Sequence, residues 1–144
     1  MAAKPIPEGF HTITPYLVVQ GVSKLIDFLK QAFDAKEIHR TAMPDGTVMH
    51  AEVKIGDSPV MMGEARGDYA AMPACLYLYV TDVDAVYKRA VQAGGKSVAE
   101  PKDQFYGDRS GGVKDFCGNQ WWIATHQEDV SAEEIARRAA TQRK

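Results

Sequence analysis

The chain has 144 residues, 45% of them apolar and 25% charged, with a net charge of -2. That length suits one domain with a sizeable core, and that composition excludes disorder across the body. The charge leaves no electrostatic footprint for nucleic acid or an anionic membrane. Apolar runs such as ACLYLYV are strand-sized, far short of a bilayer span, and the start MAAKPIPEG has no apolar signal core; a cytoplasmic protein is expected. Cys75 and Cys117 stand in no CxxC or zinc-ligand spacing, which predicts reduced thiols.

In chain order, TPYLVVQ reads as a strand that breaks at Gly21, and Val22, Leu25, Ile26, Leu29 and Phe33 then follow at helical spacing. AKEIHRTAM, VMHAEVKI and PVMMGEA are three short strands separated by turns at PDG and GDS. CLYLYV starts the same design again. Its helix carries Val83, Val86, Tyr87, Ala90 and Val91 on one stripe and stops at Gly94 and Gly95. A shift of 61 positions lays Tyr16 on Tyr77, Leu17 on Leu78, Val19 on Val80 and Val22 on Val83, an internal repeat. KSVAEPKD, a loop at FYGDRSGG, a short strand at GVKD, a turn at FCGN and QWWIATH complete the second copy.

The expected fold is therefore α+β: two βαβββ units, about residues 10–65 and 74–126, forming a curved mixed sheet with helices on its convex side. They make one domain over residues 1–130. Residues 131–144 are a helical tail, opened by a capping box of Ser131 and Glu134 and anchored by Ile135.

A tandem repeat of this kind, with YGDRSGGVKDFCGNQWWIATH in its second unit, resembles the vicinal oxygen chelate superfamily of glyoxalases, bleomycin-resistance proteins and extradiol dioxygenases. TPYLVVQGV, MHAEVKIGDSPVMM and DFCGNQWWIATHQED resemble a bacterial glyoxalase/bleomycin-resistance-like branch, and the similarity runs over residues 10–128. In metal-dependent members the first and last strand of each unit each supply one His, Gln or Glu ligand. The matching positions here are Thr14, Met61, Cys75 and Trp122, and the offset of 61 relates Thr14 to Cys75 and Met61 to Trp122. One thiol with a hydroxyl, a thioether and an indole does not suit a hard divalent cation, so neither a metal centre nor another cofactor is expected. Glu64 is the one carboxylate that a shifted or bulged fourth strand would bring toward the site.

Alternation assigns the faces. Pro15, Leu17, Val19, Leu76, Leu78, Val80, Trp121 and Ile123 belong under the helices; Thr14, Tyr16, Val18, Cys75, Tyr77, Tyr79, Trp122 and Ala124 line the hollow. His50 and Glu52, two apart on one strand, form either an acid–base pair or a solvated strand face. Tyr16, Tyr77, Tyr79 and Trp122 are either a wall on which a flat molecule stacks or a packed interior or dimer contact. In the glycine-rich loop, Tyr106, Asp108 and Arg109 either meet a ligand, with Arg109 clamping an anion, or pair Asp108 with Arg109 or a partner chain. His11, His39 and His126 read as solvated, and nothing marks Cys117 as a nucleophile.

Two functions follow from the resemblance and these residues. The first is a homodimeric binding protein that holds a small, partly planar molecule through Thr14, Tyr16, His50, Met61, Cys75, Tyr77, Tyr106, Arg109 and Trp122, as drug-binding members do. The second is an enzyme: a metal-dependent lyase, isomerase or dioxygenase, or a metal-free catalyst using His50 and Glu52.

Overall fold

β-Branched and aromatic residues build the strands, and apolar positions at helical spacing build the helices, in the order the sequence predicts. The computed structural model describes residues 2–142. The first unit consists of β1 (Tyr16–Val19), α1 (Val22–Phe33), β2 (Lys36–Ala42), β3 (Val48–Ile55) and β4 (Ser58–Glu64). The second consists of β5 (Cys75–Tyr79), α2 (Val83–Gln92), β6 (Lys96–Asp103), β7 (Asp108–Lys114) and β8 (Gln120–His126). A final helix, α3 (Ala132–Gln142), follows; residues 143 and 144 of the expected tail lie outside the described residues.

Each unit forms its own four-stranded mixed sheet, ordered β1-β4-β3-β2 and β5-β8-β7-β6, with the first and last strands parallel. Tyr16 lies opposite Met61 in the first sheet, and Tyr77 lies opposite Trp122 in the second. Both pairs obey the offset of 61, so the sequence repeat is a repeat of strand register. One correction concerns β7: the strand begins at Asp108, within the stretch expected to be a loop, because Asp108–Lys114 pairs residue by residue with His126–Gln120.

Helix α1 packs on β3 and β4, α2 packs on β6, β7 and β8, and the two helices pack on each other. A single core results, from Leu17, Leu25, Ile26 and Met62 in one unit to Val83, Trp121 and Ile123 in the other. The strands of the two sheets share no broad contact, so the faces turned from the helices stay open. Leu76, Leu78 and Val80 do pack against the core, but only half-buried.

The repeat extends to the helix starts. Helix α1 has no side-chain cap of its own; Glu64, at the end of β4, accepts from the backbone N–H groups of Gly21 (2.9 Å) and Val22 (3.1 Å). Sixty-one positions later Thr125 accepts from the N–H of Val83 at 3.0 Å. A carboxylate suits the positive end of a helix, which is where Glu64 spends both oxygens. Glu64→Ala should therefore destabilise the fold by about 1–2 kcal/mol in urea titration, the range for a lost N-cap. An unchanged midpoint would show that water replaces the cap.

Helix α3 starts as the capping box suggests, with the N–H of Glu134 donating to Ser131 Oγ at 3.1 Å. The Glu134 carboxylate turns instead to Arg137 and Arg138. No residue of this helix is fully buried, Ile135 included.

Candidate functional site

The open face of the first sheet carries a hydrogen-bonded chain. Glu52 Oε2 lies 3.0 Å from His50 Nε2, and His50 Nδ1 lies 3.1 Å from the Tyr16 hydroxyl. An ionised carboxylate only accepts, so Nε2 carries the proton, Nδ1 accepts, and Tyr16 donates. Tyr16 is 41% exposed and lies across Gly63, where an added Cβ would meet its hydroxyl. Burial, then Tyr69 nearby, raise the Tyr16 pKa, so its hydroxyl stays protonated at neutral pH. His39 stands beside this chain, its ring 6.3 Å from that of His50 and its Nε2 2.8 Å from Thr41 Oγ1.

The second sheet gathers a different network around Asp108, which is 3% exposed. Its Oδ2 accepts from the hydroxyls of Tyr77 (2.8 Å) and Tyr79 (2.9 Å), and its Oδ1 faces His126 Nδ1 at 2.8 Å. Tyr106 adds its hydroxyl at 3.4 Å from that of Tyr77. Trp122 lies flat on Gly112, whose hypothetical Cβ would sit 2.9 Å from the indole. Any side chain there would lift the ring from the sheet, which is why a glycine stands opposite it.

His126 is not merely solvated. Its Nε2 faces Asp129 Oδ1 at 2.7 Å while Nδ1 faces Asp108, so both nitrogens are best used as donors and the imidazolium is favoured. The hydrogen bond to Asp108, then that to Asp129, raise the His126 pKa. Burial pushes Asp108 up, but His126, Tyr77 and Tyr79 outweigh it and leave its pKa lowered. The raised histidine contributes stability below its ordinary value, lost as pH rises through its folded pKa; the depressed aspartate contributes above its ordinary value, lost as pH falls through its own. The pair is therefore strongest between about pH 4 and 6.5. In an NMR titration His126 should titrate above its ordinary pKa, and Asp108→Asn should bring it down; an unmoved midpoint would dissolve the pair.

The two networks occupy different sheets, and the single chain does not bring them together. Tyr16, His50, Glu52 and Met61 belong to the first sheet, Tyr77, Asp108, Trp122 and His126 to the second, and Tyr106 to the loop before β7. Thr14 precedes β1, half-buried, and Cys75 opens β5, exposed beside a cleft between the units. Arg109 is a correction. It neither pairs with Asp108 nor remains free for a ligand, because alternation along β7 sends it the other way. There its Nε and Nη2 hold Asp84 at 2.9 Å each, and its Nη1 lies 3.3 Å from Asp103.

The Asp108–His126 contact was legible in principle, since each shares strand parity with the inward residues Ser110 and Ala124. Asp115 and Asn119, buried and structural, carried no periodic signal. Burial, then the nearby Asp115 carboxylate, push the Cys117 thiol up to about 12, which rules out a thiolate nucleophile at neutral pH.

The superfamily's usual metal finds a poor donor set at Thr14, Met61, Cys75 and Trp122. Among the described residues no three His, Cys, Asp or Glu side chains gather as a metal site, and Glu64 is committed to α1. Nor is any helix among them long and apolar enough to cross a membrane.

A family model, the Glyoxalase/Bleomycin resistance protein/Dioxygenase superfamily, matches residues 9–123. An uncharacterized protein of Mycobacterium bovis is 35% identical over 134 residues, spanning 85% of this chain and 88% of that protein. Among solved structures, TioX from Micromonospora sp. ML1 is similar with a TM-score of 0.71 at 24% identity, covering 81% of this chain and 98% of that one. A glyoxalase/bleomycin resistance protein/dioxygenase from Nocardioides aligns at 0.64 and 16% identity, over 92% of this chain and 90% of its own. At those identities the structures speak to fold, while the family match and the mycobacterial relative speak to descent. The chain belongs to the glyoxalase/bleomycin resistance protein/dioxygenase superfamily.

Proposed function

We propose that the protein is a homodimeric, cytoplasmic small-molecule binder that holds a partly planar ligand between aromatic sheet faces, without the superfamily's metal centre. The observation that carries this reading is the pair of open faces whose rings are already set in place. Tyr16 lies on Gly63 and is tied to His50; Trp122 lies on Gly112 beside Tyr77 and Tyr79, which are tied to Asp108. A wall fixed in advance loses little side-chain entropy when a flat molecule stacks on it.

The dimer follows from exposure. Tyr77 and Tyr79 are 44% and 64% exposed, and Met72 and Ile13 more so, a surface that a second copy would cover. Setting the first sheet of one copy over the second sheet of the other makes two equivalent hollows. Each then has Tyr16, His50, Glu52 and Met61 from one protomer and Tyr77, Tyr106 and Trp122 from its partner. Light scattering at micromolar concentration should give twice the chain mass. A panel of flat aromatic compounds should quench tryptophan emission, with most of that signal lost in Trp122→Phe. A stable monomer, or quenching that persists in the variant, would overturn this reading.

The Glu52–His50–Tyr16 chain favours a second reading, metal-free proton transfer. The carboxylate steadies the imidazolium that forms when His50 takes the Tyr16 proton, while Tyr16 takes one from the substrate. Deuterium exchange into small hydroxyketones and dicarbonyl compounds, followed by NMR in heavy water, tests it. Exchange abolished by His50→Gln supports catalysis; exchange no faster than in buffer leaves binding alone.

A further inference from the structure

A cleft of about 840 Å³ opens at the junction of the two units, between β5 with α2 on one side and the β3–β4 turn with the end of α1 on the other. Its walls include Phe33, Val60, Leu76, Leu78 and Val86, and it reaches Trp121, the tryptophan of the core. Because it uses the helix-side residues of β5, it is distinct from the open sheet faces of the proposed hollow. Its size is that of a small-molecule pocket, and its lining is mainly apolar.

Arg89 of α2 supplies its cationic group. The guanidinium donates from Nη2 to the carbonyl of Ala32 at 3.2 Å, closing the C-terminal end of α1. That contact occupies one of five N–H donors. Among the described residues no carboxylate lies within ion-pairing distance of Arg89, although the neighbouring arginines of the second unit, Arg109 and Arg138, are each paired. Asp57 also lines the cleft, where it accepts from the hydroxyl of Ser58 at 2.8 Å.

We propose that this cleft is a second binding site, for a small amphipathic carboxylate whose apolar body lies along Leu76, Leu78 and Val86 and whose carboxylate docks on Arg89. An apolar trough with a fork-shaped cation at its wall selects such a molecule over its neutral analogue. The fork matches a carboxylate with two parallel hydrogen bonds, and the low-dielectric walls strengthen the pairing. The carboxylate keeps its distance from Asp57 by lying at the α1 end, where Arg89 is anchored. The site does not depend on the aromatic hollow.

Displacement of 1-anilinonaphthalene-8-sulfonate by decanoate and by decanol tests the proposal. Decanoate should bind about tenfold more tightly than decanol, the increment of one charge-assisted contact. Arg89→Gln, which keeps an N–H for the Ala32 carbonyl, should erase that preference and leave decanol unchanged; Arg89→Lys should restore part of it. Val86→Trp should weaken both ligands by filling the trough, while Trp122→Phe should affect neither, which separates this site from the hollow. Binding without preference for the carboxylate, or a preference that survives Arg89→Gln, would overturn the assignment. So would decanoate affinity that falls as the chain dimerises, because a second copy would then be the occupant.

Discussion

Asp115→Ala should destabilise the protein by at least about 3 kcal/mol, the scale for stranding the partners of a buried charge. The carboxylate is 4% exposed and accepts four hydrogen bonds. Its Oδ1 takes the backbone N–H groups of Cys117 (2.8 Å) and Asn119 (3.0 Å). Its Oδ2 takes Asn119 Nδ2 (3.0 Å) and Trp121 Nε1 (2.8 Å). Asn119 passes the order onward, its Oδ1 accepting from the N–H of Ala74 at 2.9 Å, just before β5. One residue thus holds the β7–β8 turn, the core indole and the entry to β5 together. Alanine leaves these donors unsatisfied in a molecule whose buried side-chain nitrogens and oxygens, among the described residues, all have partners. Asparagine should rescue little, because its NH₂ would confront donors. Against a domain stability of about 5–15 kcal/mol, this is a large fraction. Urea titration of both variants checks it; a loss below about 1 kcal/mol would mean that water enters and satisfies the turn.

Trp121→Ala should destabilise by about 3–5 kcal/mol and Trp122→Ala by clearly less. Trp121 is 1% exposed, its ring 5.2 Å from that of Phe33 across the junction of the units and its Nε1 on Asp115. Cutting it out leaves a cavity where both helices meet the sheets. Trp122 has one face on Gly112 and the other toward the open side of its sheet, so fewer packed atoms are lost. Because Trp121 and Asp115 share a hydrogen bond, their losses should not add, and the double variant should be less damaged than the sum of the singles. Equal losses for the two tryptophans would mean that the faces of β8 are assigned wrongly.

That assignment shows how far the primary structure reaches. The period of two along NQWWIATH places Trp121 with Ile123 and Trp122 with Ala124, and both sets fall where alternation puts them, Ile123 and Trp121 in the core. Ala124 is also fully buried, beneath its own sheet neighbours, because a methyl group is too short to emerge between the larger side chains around it. The pairing of His50 with Glu52 was legible too, since two residues apart on one strand must share a face. Its third member, Tyr16, was not, because the contact spans thirty-four residues and two strands.

What the amino-acid sequence determines by itself is whatever rests on local period and on its own repetition: the two βαβββ units, the offset of 61, the helical stripes and the split of each strand into two faces. Tertiary structure decided what those faces meet. It committed Glu64 to the start of α1, turned Arg109 to Asp84, drew His126 to Asp108 and made Asp115 the anchor of Trp121. It also joined the units through their helices, leaving the two aromatic faces open on separate sheets. The physical reason is one of range. Strand and helix periods are set by backbone geometry within a few residues, whereas a polar side chain takes its partner from whatever donor or acceptor the packed core brings within about 3 Å of it.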